Sequence, residues 1–273
     1  MLILNGYEIK QGHFPDNTTN ICVPVEYILK GSVYNTILWK FENNEELLLL
    51  QFLVAHLRDN EANHIKLQMP YVPYARQDKA LRSDNILMLK YFASIINGLN
   101  FSEVIVLDPH STVTQNLFNR LKILTPVKMI EKVYGTIAKE EKQAPLIFFP
   151  DAGSVKRYEN TCKQNYCFGV KTRNAVTGAI ENLDICGNVE SITGRSILII
   201  DDICSAGGTF LHSATALKER GATNIYLWAT HCEDNIHNGK LLEDSCVKRI
   251  YTTNSLTRRP HIKIEEFNLA QWS

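Results

Sequence analysis

Short unbroken apolar runs alternate with helix-like segments along most of the chain, and this alternation constrains the fold more than any other feature. "NTILWKF" (35–41), "HIKLQMPYVP" (64–73), "EVIVLDPHS" (103–111), "PLIFFPDAG" (145–153), "RSILIIDDI" (195–203) and "NIYLWATH" (224–231) read as strands. "NEELLLLQFLVAHLRD" (44–59) reads as a helix capped by Asn44, "NILMLKYFASIING" (85–98) as one closed by a glycine, and "GGTFLHSATALKERG" (207–221) as one stopped by Gly221. A strand that is apolar on both faces has to be covered on both faces, so the pattern predicts an α/β fold of mainly parallel sheets flanked by helices. Two halves are expected, 1–127 and 128–273, with "RLKILTPVKMIEKVYG" (120–135) as the hinge and Pro126 as its punctuation. They repeat each other in architecture and share little sequence.

Composition removes several classes of function. With 273 residues and 45% hydrophobic content the chain can bury a substantial core. Lys+Arg equals Asp+Glu, at 29 each, so no basic excess marks a nucleic-acid binder, and no basic helix or wing is visible. No apolar run reaches membrane-spanning length, and "MLILNGYEIK" is too short for a secretion signal. The seven cysteines are scattered, odd in number and without a CxxC pair, which fits free thiols in a reducing cytoplasm and argues against zinc.

In parallel sheets, ligands sit beyond the carboxyl ends of the strands. Four polar strand ends qualify: "PYARQDK" (73–79), "DPHS" (108–111), "PDAGSVKR" (150–157) and "DDICSAGGT" (201–209). In the last, Ser205, Ala206, Gly207, Gly208 and Thr209 form a small-residue loop entering a helix, where exposed N–H groups and the helix dipole can cradle a phosphate. Asp201 and Asp202 just before it suit the vicinal hydroxyls of a ribose carrying that phosphate. A plain reading stays open at this point, since acid pairs at strand ends are common and glycines often only make turns.

"LIIDDICSAGGT" resembles the phosphoribosyl-binding motif of type I phosphoribosyltransferases, and "MPYVPYARQDK" resembles the signature of ribose-phosphate pyrophosphokinases. "VLDPHS", "PDAGSVKRY" and "GVKTRN" resemble further segments of that family, and the motifs follow its order over residues 14–231. The resemblance implies two phosphoribosyltransferase-like domains, the first with the ATP-site signature and the second with the ribose-phosphate loop. It also implies magnesium, ATP as co-substrate, a ribose 5-phosphate-type acceptor and a homodimer or hexamer. The implied reaction moves the β,γ-diphosphoryl group of ATP onto the anomeric hydroxyl of ribose 5-phosphate and releases AMP. Arg76 forks onto phosphate oxygens, Gln77 bonds the nucleotide and Asp78 supports them, with a surface salt bridge as the plain alternative. His110 contacts ATP phosphates or the metal, oriented by Asp108. Asp151 is a magnesium ligand. Lys171 and Arg173, two apart on a strand, present two cations to the phosphoryl group in flight, the alternative being a solvated basic edge. Phe14 stacks on adenine and Asp16 accepts from its amino group, although Phe14 is open to a core role.

Departures from the family pattern are confined. Asn17 and Thr18 replace a Gly-Glu pair, Ser205 stands where the family usually has an aspartate, and Ala206 where it has a threonine. After "TTNSLTRRPHIKIEEFNLAQWS" the sequence is expected to leave no room for the family's closing helix. Loss of the acid at Ser205 opens an alternative acceptor, ADP-ribose, whose transfer product belongs to NAD salvage. A non-catalytic regulatory subunit is a further alternative, disfavoured by the presence of His110, Lys171, Arg173 and the aspartate pair. An ordinary single-domain phosphoribosyltransferase lacks the "PYARQDK" signature.

Overall fold

The computed structural model describes residues 1–79, 84–159, 165–173, 180–256 and 259–269, with the side chains of 171–173 and 180–182 outside that set. The chain divides into two units, Met1–Thr125 and Pro126–Ser273.

The first unit runs β1 (Leu2–Leu4), β2 (Tyr7–Glu8), β3 (Gln11–His13), β4 (Thr19–Ile21), β5 (Gly31–Trp39), α1 (Glu45–Asp59), β6 (Ala62–Gln68), α2 (Met88–Gly98), β7 (Glu103–Leu107), α3 (Val113–Leu117) and β8 (Leu121–Leu124). Its sheet has the order β2-β1-β5-β6-β7-β8, with β5 to β8 parallel and β1 and β2 antiparallel, while β3 and β4 pair as a separate hairpin. The strand expected over 64–73 ends at Gln68 because Pro70 and Pro73 have no N–H to extend a ladder. Leu49, Leu50, Leu53, Val54 and Leu57 give α1 a buried face at helical spacing. Asn44 does not cap this helix. It already has helical angles (φ −72°, ψ −22°), which carry its side chain away from the first turn. Asn43 Oδ1 accepts from the Glu46 N–H instead, and Asn44 Oδ1 accepts from the Tyr74 hydroxyl at 2.6 Å.

The second unit runs α4 (Val127–Glu140), β9 (Leu146–Phe149), α5 (Ala152–Tyr158), β10 (Tyr166–Arg173), β11 (Ile180–Gly187), β12 (Ile197–Cys204), α6 (Gly208–Glu219), β13 (Ile225–Cys232), β14 (Val247–Thr253) and β15 (Ile264–Phe267). Residues 120–135 are strand β8 and the start of α4, and the division between the two units falls within them, at Pro126. Ile130, Val133 and Ile137 bury one stripe of α4, which is why the stretch is helical. The sheet order is β11-β10-β9-β12-β13-β14-β15, parallel except for β11. Ile197 and Ile199 of β12 belong to one hydrophobic cluster with Phe210, Ala214 and Leu217 of α6, whereas Leu198 and Ile200 belong to another with Ile130, Ile137 and Tyr158. The unbroken apolar reading of this strand thus reflects burial on both faces.

At the amino-terminal edge of this sheet, Glu141 collects four donors. Lys248 Nζ (2.8 Å) and the Tyr226 hydroxyl reach Oε1, while Asn224 Nδ2 (2.9 Å) and Ser196 Oγ (3.0 Å) reach Oε2. Burial alone would push the carboxyl up, but the bonds from Lys248, Tyr226, Asn224 and Ser196 outweigh it and hold it at about 2. A carboxyl with a folded value below its unfolded 4.5 stabilises the fold above that unfolded value and loses the contribution as pH falls through about 2. Glu141→Gln is expected to cost about 2 kcal/mol at neutral pH, on the scale of hydrogen bonds to a charged group. It should also flatten the fall in stability below pH 4.5, checked by urea melts from pH 7 to pH 2.5.

Candidate active site

The strand order of the second sheet reverses between β9 and β12, since the chain leaves β9 for β10 on one side and β12 flanks it on the other. The crevice beyond the carboxyl ends at such a point is where open α/β sheets hold ligands. β9 delivers Pro150 and Asp151 to it, and β12 delivers Asp201 and Asp202. Asp151 has extended angles (φ −161°, ψ 176°) and caps α5, its Oδ1 accepting from Ser154 N at 3.1 Å. Strand β10 lies close against this corner. A Cβ on Gly169 would come within 2.8 Å of the Pro150 carbonyl oxygen.

The two aspartates are held by α5. Arg157 contacts Asp202 Oδ1 at 2.5 Å and Asp201 Oδ1 at 3.8 Å, and the side chains of Asp202 and Asp201 are 3% and 14% exposed. Ser154, itself buried, donates from Oγ to Asp201 Oδ1 at 2.7 Å. Burial raises the Asp201 carboxyl well above the usual carboxylate range, the adjacent Asp202 charge adds to this, and the Ser154 bond opposes it. Arg157 and Ser154, both on α5, thus hold the two carboxylates, and Asp151 caps that same helix. Such a cluster accepts hydrogen bonds from a diol or charge from a cation.

Beyond Cys204 the backbone turns through Ser205 and Ala206 to Gly207, whose φ of +82° lies in the left-handed region. A Cβ there would also sit 2.6 Å from Leu241. Helix α6 starts at Gly208 with no side-chain cap on its first turn, and the Cβ position of Gly208 faces open space. The amino-terminal N–H groups of a helix left uncapped in this way can take an anion, and Ser205 and Thr209 are the hydroxyl residues on either side of the glycines. The loop is braced from outside: a Cβ on Gly239 would lie 1.9 Å from the Ala206 carbonyl oxygen, and Asn235 Nδ2 donates to Ser205 Oγ at 3.0 Å.

In the first unit, Arg76 and Gln77 are exposed and Asp78 partly so, on the turn after β6, and His110 follows β7. Both approaches are made through residues in the left-handed region, Tyr74 (φ 62°) and Asp108 (φ 43°), and backbone strain of this kind concentrates at functional sites. Phe14 is 53% exposed at the tip of the β3–β4 hairpin, so it is not core. The two departures beside it have a structural account. Asn17 takes a φ of 66°, which asparagine tolerates better than most residues, and Thr18 donates its N–H (3.0 Å) and hydroxyl (2.7 Å) to Asp16 Oδ1. The Thr18 hydroxyl and N–H bonds hold the Asp16 carboxyl below its usual range. Lys171 and Arg173 lie on β10, paired to Leu183 and Ile180 of β11 with a register shift between Thr172 and Arg173; their side chains lie outside the described residues.

Residues 5–99 match the family described as the N-terminal domain of ribose phosphate pyrophosphokinase, and residues 174–267 match the phosphoribosyl synthetase-associated domain. The ribose-phosphate pyrophosphokinase of Sulfurisphaera tokodaii is 30% identical over 260 residues, spanning 90% of this chain and 84% of that one. That of Vibrio cholerae serotype O1 is 30% identical over 224 residues, 78% of this chain and 68% of that one. The chain belongs to the ribose-phosphate pyrophosphokinase family. Its fold matches the crystal structure of phosphoribosylpyrophosphate synthetase from Mycobacterium smegmatis with a TM-score of 0.76, covering 97% of this chain and 87% of that one at 19% identity. Within this pyrophosphokinase frame, sequence reading missed Arg157, Ser154 and Asn235. Arg157 and Ser154 stood inside an already quoted motif, "PDAGSVKR", where a hydroxyl about one helical turn past an acid and a base about one turn further on were the available signal.

Proposed function

We propose that this protein is a ribose-phosphate diphosphokinase that transfers the β,γ-diphosphoryl group of ATP to the anomeric hydroxyl of ribose 5-phosphate. The observation that carries the reading is the pairing, at the β9/β12 crevice, of two arginine-held aspartates with an uncapped helix start opening onto free space. In this reading the α6 loop takes the 5-phosphate, and Asp201 and Asp202 accept from the ribose hydroxyls. The anomeric oxygen bonds to the β-phosphorus of ATP, the bond from that phosphorus to the α-phosphate oxygen breaks, and AMP leaves. Phe14, Asp16, Arg76, Gln77 and Asp78 serve the nucleotide, His110 its phosphates, and Lys171 and Arg173 the transferring group, where positioned cations do most of the work of phosphoryl transfer. Magnesium takes one or two carboxylates and completes its shell with phosphates and water, and in this reading Asp151, at the end of β9, would be its carboxylate and His110 a further ligand. When bound it neutralises phosphate charge.

The test is incubation with ATP, magnesium and ribose 5-phosphate, followed by chromatography of the nucleotides. AMP is the expected product. ADP with a phosphorylated sugar would mean transfer of the γ-phosphoryl group and would overturn the reading, and no turnover would favour a regulatory subunit, the possibility raised by the description of the match at residues 174–267. A second acceptor, ADP-ribose, is favoured by one observation: the loop residue Ser205 is neutral and partnered by an amide, and a phosphodiester needs a less charged cradle than a terminal phosphate. Competing the two acceptors at equal concentration and weighing the products separates them.

A further inference from the structure

The short 3-10 turn Asp234–Asn238 that follows β13 touches the α6 loop through a hydrogen-bonded relay. Asn238 Nδ2 donates to Asn235 Oδ1 at 3.0 Å, which fixes the amide so that Asn235 Nδ2 is the end facing the loop. That group donates to Ser205 Oγ at 3.0 Å. Each member accepts from the one behind and donates to the one ahead, and aligned bonds of this kind polarise one another. The relay ends on a hydroxyl whose oxygen is engaged as an acceptor and whose own proton has no acceptor among the described residues. A row of donors ending beside an uncapped helix start is polarised to meet an anion. The turn cannot drift from the loop, because Gly239 packs on the Ala206 carbonyl and Leu241 on Gly207.

We propose that Asn235 is a positioning residue for the acceptor's phosphate: by donating to Ser205 Oγ it aims the Ser205 proton at the anion held at the start of α6. This rests on the reading of residues 205–209 as the phosphate loop. In Asn235→Asp the new carboxylate accepts the Ser205 proton and takes it from the ligand. In Asn235→Ala the bias is lost without added charge. In Ser205→Ala the donor itself is gone.

Steady-state kinetics of the full chain with ribose 5-phosphate and magnesium ATP test it, with melting temperatures recorded for every variant. Asn235→Asp is expected to raise KM for ribose 5-phosphate by about tenfold or more, the scale of one hydrogen bond to a charged group. KM for ATP, kcat at saturating sugar and the melting temperature should stay near those of the wild type. Ser205→Ala should behave alike, Asn235→Ala should show a smaller rise, and the double variant Asn235→Asp/Ser205→Ala should be no worse than Ser205→Ala alone. Additive losses would mean that Asn235→Asp acts by charge repulsion and not through Ser205, and would overturn the proposal. A KM for ribose 5-phosphate unchanged in Asn235→Asp, or a parallel loss of ATP affinity, would do the same. If the wild type itself shows no saturable dependence on ribose 5-phosphate, the phosphate-loop reading fails first and the role of Asn235 falls with it.

Discussion

Lys171→Ala lowers kcat by on the order of a hundredfold or more while KM for ATP and ribose 5-phosphate changes little, and Arg173→Ala does the same. The expectation follows from what phosphoryl transfer asks of a protein. The reacting group passes between two oxygens with its charge spread over its other oxygens, and a fixed cation there is worth more in the transition state than in the ground state. Loss of one oriented donor to developing charge typically costs ~100- to 1,000-fold in kcat. Strand β10 pairs with β9 over Tyr166–Phe168 and carries both residues past that pairing, with Gly169 close against the Pro150 carbonyl, next to the Asp151 that caps α5. Turnover within a few-fold of wild type in both variants would remove them from the transfer step. A rise in KM with kcat unchanged would make them binding residues instead.

Arg157→Met is the second large effect, and it falls on stability. The Arg157 guanidinium lies against Asp202, whose side chain is 3% exposed. Removing one partner of a buried pair costs about 3–5 kcal/mol. In a chain of this size that corresponds to a fall in melting temperature on the order of 10 °C. The double variant Arg157→Met/Asp202→Asn removes the more deeply buried charge and leaves Asp201 with its Ser154 bond, so it should recover part of the loss. If it melts as low as the single variant, the stabilisation comes from the packing of the arginine stem and not from the pair.

What the sequence disclosed follows from where each signal resides. Strands β9, β12 and β13 announced themselves because each is buried on both faces and so reads as an unbroken apolar run. The edge and hairpin strands β1 to β4 are only two or three residues long, too short for any period to register. Strand β8 is only half-buried, and beside Pro126 it looked like punctuation. The turn through residues 205–207 into α6 was legible because small residues in a row leave few structural alternatives. Its supports were not, because the contacts that define them are remote: Ser154 meets Asp201 across 47 positions, and Asn235 meets Ser205 across 30. No local pattern encodes such a meeting.

Strand β12 has one consequence for how the molecule opens. Its alternate residues belong to two different clusters, so the strand cannot leave one core without vacating the other. Amides along Leu198–Ile200 are then released only when the whole unit unfolds, and the aspartates at the strand's end are carried by its last segment to open. The hairpin bearing Phe14 pairs only with itself and opens by local fraying. If the proposed function holds, the sugar is met by a region that opens last and the base by one that opens first.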